Sequence, residues 1–157
     1  EDRMVPDSQI CTVEQLSAFH DENKPIPFGQ ARHCTHPAKP TLTVVAYALM
    51  REYAEGLLWE HDLLERVELL DLRTLYPLDM EAILRSGDVT RQLLIVEPDV
   101  AFGGIGAEIA AQVAEALPGT LIRRLGAPRT TISARPEERE LYVPSREQIL
   151  EAIRELV

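Results

Sequence analysis

From Leu42 onward the chain alternates between short unbroken apolar runs and stretches whose apolar residues recur at helical spacing. Leu93, Leu94, Ile95 and Val96 form a run too short for a helix, which predicts a strand covered on both faces. Behind it, Ile105, Ile109, Ala110, Val113, Ala114 and Leu117 repeat with the period of a helix. Leu42 to Ala46 (LTVVA), Val67 to Asp71 (VELLD) and Thr120 to Arg124 predict further strands. A helix with Leu49, Met50, Tyr53, Leu57, Leu58 and Leu64 on one side follows the first of these. A short helix with Asp79 as N-cap and Met80, Ile83 and Leu84 inward follows the second. The last helix starts at Ser145, has capping-box spacing to Gln148, and is expected to bury Ile149, Leu150, Ile153 and Leu156. This order predicts an α/β fold with a parallel sheet, helices on both faces and right-handed crossovers.

Residues 1–40 break the pattern. Pro6, Pro25, Pro27, Pro37 and Pro40 interrupt the segment and no helical stripe persists, apart from one short helix expected over Thr12 to His20. We read 1–40 as a linker or arm from a preceding domain and 41–157 as the α/β domain. Phe28 to Thr35 is a candidate edge strand. Thr130 to Pro144 is the longest stretch without a clear period.

Between the strand at Leu93 and its helix lie Pro98, Gly103, Gly104 and Gly106. A strand, a glycine-rich turn and a helix N-terminus form a common docking place in α/β proteins. Three readings compete. GGIGAE is not GxGxxG, because Glu108 stands where a third small residue belongs, and an acid in the first helical turn repels phosphate. With no GxxxxGK[ST] either, a nucleotide site is weakly supported. A tight packing turn, and bare backbone meeting another protein with Ile105 at the tip, stand level.

At 157 residues the chain is long enough for a hydrophobic core but short for a two-domain enzyme. A net charge of −10 argues against nucleic acid and permits a basic protein partner. There is no apolar run of membrane-spanning length and no signal-peptide pattern in the first residues, so a cytoplasmic protein is expected. Cys11 and Cys34 suit a reducing compartment and form no disulfide framework.

Candidate chemistry is thin. His33, Cys34 and His36 match no standard zinc pattern and lack a fourth ligand, so a polar linker is the better reading. His61-Asp62 suits a surface histidine at a helix C-terminus. Asp71, Arg73 and Asp79 read as capping and ion-pairing groups, and Glu137, Glu138 and Glu140 beside Arg135 and Arg139 as a solvated loop. No nucleophile, base and oxyanion set assembles, so no catalytic, cofactor-binding or metal-binding residue is expected in the chain alone.

VELLDLRTLYPLDMEAIL (Val67 to Leu84), followed by LLIVEPDVAFGGIGAEIAAQVAEAL, resembles the C-terminal domain of transketolase-like thiamine diphosphate enzymes. It is most similar to the beta subunit of the decarboxylating component of 2-oxoacid dehydrogenases. The family's Asp-Leu-Arg-Thr-Leu falls on Asp71 to Leu75 and its Pro-Leu-Asp on Pro77 to Asp79. Its Gly-Gly-Phe-Gly-Ala-Glu falls on Gly103 to Glu108, with Ile105 replacing Phe. IPFGQA (Ile26 to Ala31) resembles the entry to the domain, and Tyr142 to Ser145 with the last helix fits its end.

The resemblance implies a three-layer α/β/α domain whose mostly parallel sheet of about five strands carries an antiparallel edge strand. It implies an assembly or dimerisation role, with Gly103, Gly104, Ile105, Gly106 and Glu108 near subunit contacts. In the parent enzyme thiamine diphosphate and magnesium bind between other domains, on motifs absent here. Implied partners are a second copy of the domain, the thiamine-binding domains or alpha subunit, and a lipoyl acyltransferase core. The alternative is a small-molecule or nucleotide-binding regulatory module using the Gly103 to Gly106 turn. The sequence departs from the family at Tyr47-Ala48, where relatives have Tyr-Gly; if that position needs positive φ, Ala48 is strained. It departs again at Gly126 to Thr131, where relatives carry Asp-x-Pro-x-Pro, and at Pro118-Gly119.

Overall fold

A computed structural model describes residues 27–131 and 142–157. Its five-stranded sheet contains β1 (Arg32–His33), β2 (Leu42–Ala46), β3 (Val67–Asp71), β4 (Gln92–Val100) and β5 (Leu121–Ala127). Helices α1 (Ala48–Glu60), α2 (Met80–Thr90), α3 (Ile105–Ala116) and α4 (Arg146–Arg154) join or follow the strands. The strand order is β1-β3-β2-β4-β5; β1 pairs antiparallel with β3, and the other neighbours are parallel.

The unbroken apolar runs of the central strands reflect burial on both faces, since consecutive side chains point to opposite sides of a sheet. Val44, Leu69, Leu94 and Val96 pack with Met50, Ala54, Leu57 and Leu58 of α1 and with Ile149 and Ile153 of α4. Val45, Leu70, Leu93 and Ile95 pack on the opposite face with Ile83 of α2 and with Ile109 and Val113 of α3. The result is the expected three-layer sandwich with an antiparallel edge.

Local signals fixed two of the helix starts. Asp79 Oδ1 accepts the Ala82 amide at 3.0 Å, and its Oδ2 accepts the Ala31 amide at 2.8 Å, so one carboxylate caps α2 and holds the segment before β1. Ser145 and Gln148 form a reciprocal capping box on α4. Several boundaries and orientations differ from expectation. α1 ends at Glu60, so Leu64 packs from the following turn, and Leu49 is 41% exposed. Ala114 faces solvent, because α3 is anchored by a narrower stripe than its composition implied. Leu156 reaches the core from beyond the end of α4, while Leu150 is only half-buried. Pro98 lies within β4, not in the turn after it. The β4–β5 register shifts between Val96 and Val100, an irregularity of the kind that accommodates a residue unable to donate to the ladder. The helix expected over Thr12 to His20, and Glu137, Glu138 and Glu140 with their arginines, lie outside the described residues. No helix among the described residues is long and apolar enough to cross a membrane.

Candidate functional site

The parallel strands β2, β3 and β4 all deliver chain to the same end of the sheet, and the glycine turn lies there between β4 and α3. Gly103 has φ of 76°, and a side chain built on it would meet nothing within 4 Å. Phe102 beside it is 69% exposed, with the Arg129 guanidinium 4.3 Å from its ring centroid. Glu108 points to solvent, whereas Ile105 is half-buried against the α2–α3 face of the core.

The other two glycines of the turn face their own chain. A Cβ on Gly104 would lie 2.5 Å from the Val100 carbonyl oxygen and 2.6 Å from Glu97 Oε2. A Cβ on Gly106 would lie 2.5 Å from Glu97 Oε1. At Gly104 the backbone carbonyl cannot give way, so glycine is needed there, and at Gly106 a side chain would force the Glu97 carboxyl to shift. The inner side of the turn is thus the packing turn that the sequence left open as one reading, and its outer side is exposed backbone with an aromatic neighbour.

Glu97 is the residue that pattern reading passed over. It closes the apolar run of β4 and is 0% exposed. Its Oε2 accepts the Gly106 amide at 3.0 Å, while Oε1 has no hydrogen-bond partner among the described residues. Burial pushes its carboxyl above the ordinary carboxylate range. Asp99 adds to that, and the Gly106 amide and Arg124 oppose it. A carboxylate at the head of α3 also occupies the place where a helix N-terminus attracts a phosphate. The available signal was a lone acid completing a strand otherwise reading Leu-Leu-Ile-Val.

Nearby, Tyr47 and Ala48 connect β2 to α1. The Tyr47 phenol is pushed up to about 12 by burial and by the charges of Glu97 and Asp99. Ala48 takes φ of 50°, the left-handed conformation in which glycine would be unstrained. At the same end of the sheet Leu75 and Tyr76 are exposed after β3, as is Phe28 on a segment tied to Thr74 by the Gly29 amide at 3.0 Å.

The remaining sequence candidates are structural. His33 Nδ1 lies 2.8 Å from Glu68 Oε1, and Glu68 Oε2 accepts from Ser86 at 2.5 Å. Ser86 and Thr90 both bond Thr43, giving a satisfied polar network under α2. His36 stacks on His33 with ring centroids 6.1 Å apart. Burial first, and the Glu55 charge second, push the Cys34 thiol up to about 11, far from a reactive thiolate. No group of three or more metal-binding side chains occurs among the described residues. His61 caps α1, its amide donating to the Leu57 carbonyl. Asp71 Oδ1 accepts the Arg73 amide, and its Oδ2 lies 3.8 Å from Arg51 Nε.

Comparison with known proteins gives this arrangement a family. The model of the transketolase C-terminal domain matches residues 32–149. Acetoin:2,6-dichlorophenolindophenol oxidoreductase subunit beta of Cupriavidus necator is 35% identical over 141 residues, covering 82% of this chain and 39% of the relative. Pyruvate dehydrogenase E1 component subunit beta of Rickettsia felis is 29% identical over 140 residues, covering 85% of this chain and 41% of the relative. Among solved structures, a split gene transketolase described as an inactive beta4 tetramer superposes with a TM-score of 0.69 at 19% identity. That match covers 83% of this chain and 43% of the other, and at such identity it speaks for the fold. The chain therefore spans about two fifths of the length of the relatives it matches. With the sheet order, the glycine turn and the family match in agreement over its α/β body, the chain belongs to the transketolase C-terminal domain family.

Proposed function

We propose that this chain is an assembly domain of a thiamine-diphosphate-dependent 2-oxoacid dehydrogenase, beta-subunit-like, or of a transketolase-like enzyme, and that it carries no catalytic group itself. Its outer glycine-turn surface, Gly103 with Phe102, Ile105 and Glu108, meets a second copy of the domain. Gly104 and Gly106 serve that surface from beneath by letting the turn lie flat on Glu97. Thiamine diphosphate and magnesium belong to other domains of the parent enzyme, and an alpha subunit and a lipoyl acyltransferase core are its further partners.

One observation carries the reading. Phe102 is 69% exposed beside a glycine with open space around it, and Leu75, Tyr76 and Phe28 are also exposed at the same end of the sheet. Exposed aromatics grouped on one end of a domain are characteristic of interface cores. The regulatory-module alternative is disfavoured by Glu97, since the Gly106 amide that an anionic ligand would use is already engaged.

Sedimentation velocity of the full chain tests the proposal. We expect a concentration-dependent dimer, and loss of at least tenfold in self-association for Phe102→Glu with an unchanged circular dichroism spectrum. A chain that stays monomeric at all concentrations, or a Phe102→Glu variant that associates like the parent, rules out this surface. Gly104 is unsuitable as a probe, because any side chain there strikes the Val100 carbonyl.

A further inference from the structure

Glu97 presents a problem that the fold alone does not resolve. Its side chain is fully buried where β4 meets the glycine turn, with one hydrogen bond among the described residues, from the Gly106 amide at 3.0 Å. Oε1 has no partner among the described residues. Close backbone approach surrounds the group from two elements, since a Cβ on Gly126 of β5 would lie 2.9 Å from Glu97 Cγ and one on Gly106 of α3 would lie 2.5 Å from Oε1. An ionised carboxylate accepts hydrogen bonds at both oxygens, so burying it with one donor among the described residues is costly.

We propose that Glu97 is a proton-operated latch on the glycine turn: with the carboxyl neutral the turn closes tightly over it, and ionisation loosens Gly103 to Gly106. The inference deepens the assembly reading by adding regulation of the same surface, and it rests on that reading only for its consequence at the interface.

The groups facing Glu97 set the balance. From β5, Arg124 favours the ionised form, but its guanidinium is engaged by the Ala101 carbonyl at 2.5 Å. From the end of β4, Asp99 favours the neutral form. From the β2–α1 junction comes Tyr47, whose phenol stays protonated through the relevant range. From α3 come the Gly106 amide and the positive end of the helix, which favour the carboxylate. Burial is the largest influence and carries the group upward. A carboxyl whose folded pKa is raised contributes stability that is fully present below its unfolded pKa and is lost as pH rises through the folded value. The latch is therefore shut at acid pH and released as pH climbs past the range in which ordinary glutamates ionise, about 4.3.

Carbon-13 and nitrogen-15 NMR of the full chain, with sequential assignment, reads both halves of the claim. We expect the Glu97 side-chain carboxyl to titrate at higher pH than the exposed glutamates. The Gly103 to Gly106 amides should shift with the same midpoint and exchange faster above it. Glu97→Gln should abolish the midpoint in those amides. Titration of Glu97 among the exposed glutamates, or amides that stay flat across its titration, overturns the latch even if the variant does not fold, because both are read in the parent chain. Sedimentation at pH values either side of the midpoint separates the two ideas. Self-association that weakens on ionisation supports both, whereas a monomer at every pH with linked amide shifts retains the latch and removes the assembly role.

Discussion

Ala48 is an alanine in a conformation that suits glycine. At φ of 50° its Cβ crowds the neighbouring backbone, at a cost of about 1–2 kcal/mol. Glycine there gives back part of that gain through its larger unfolded-state entropy, about 0.5–1 kcal/mol. Ala48→Gly should therefore stabilise the fold by roughly 0.5–1 kcal/mol, seen as a higher urea midpoint with an unchanged m-value. The strain was visible in the sequence as Tyr47-Ala48 against the family's Tyr-Gly, and the structure supplies the dihedral. Glu97 is the opposite case. A lone acid closing Leu-Leu-Ile-Val was the one hint in the sequence, and spacing does not say that it faces inward, because its surroundings come from the packing of α3 and β5 on β4.

Elements were readable where their signals are local. Ser145 with Gln148, and Asp79 before α2, announced caps that the structure contains, since a cap is satisfied within one helical turn. Ser145→Ala should cost about 1 kcal/mol in equilibrium unfolding by removing an acceptor for the α4 amides. Gly106→Ala should cost about 1–3 kcal/mol or more, because the added methyl drives into Glu97 and the side chain of Ile95. Thermal unfolding of both variants checks the order of the two effects. Boundaries governed by distant contacts were less legible. β4 runs past Pro98 because β5 pairs with it beyond the irregularity, and α1 stops before Leu64 although Leu64 still packs on the core.

At the scale of the molecule, burial of both sheet faces leaves Phe28, Leu49, Leu75, Tyr76 and Phe102 exposed at the end of the sheet that carries the glycine turn, where we assign the assembly surface, while Trp59, Val89 and Leu121 are exposed elsewhere. Among the described residues no group of three or more His, Cys, Asp or Glu side chains is placed to hold a metal; His33 Nδ1 pairs with Glu68, and burial pushes the Cys34 thiol up. Isothermal titration of the full chain with thiamine diphosphate and magnesium should show no heat of tight binding. Saturable micromolar binding would place cofactor-holding groups in this domain and contradict the division of labour proposed for it.

By itself the sequence determined the alternation of strands and helices, the capped helix starts and the family pattern, since periodicity and capping depend on residues only a few positions apart. The tertiary structure alone decided that Glu97 lies beneath the glycine turn, that Gly104 and Gly106 pack closely on their own chain, and that Gly103 and Phe102 are exposed. Those facts depend on how β4, the helix that follows it and β5 pack on one another, and residue spacing alone does not encode that packing.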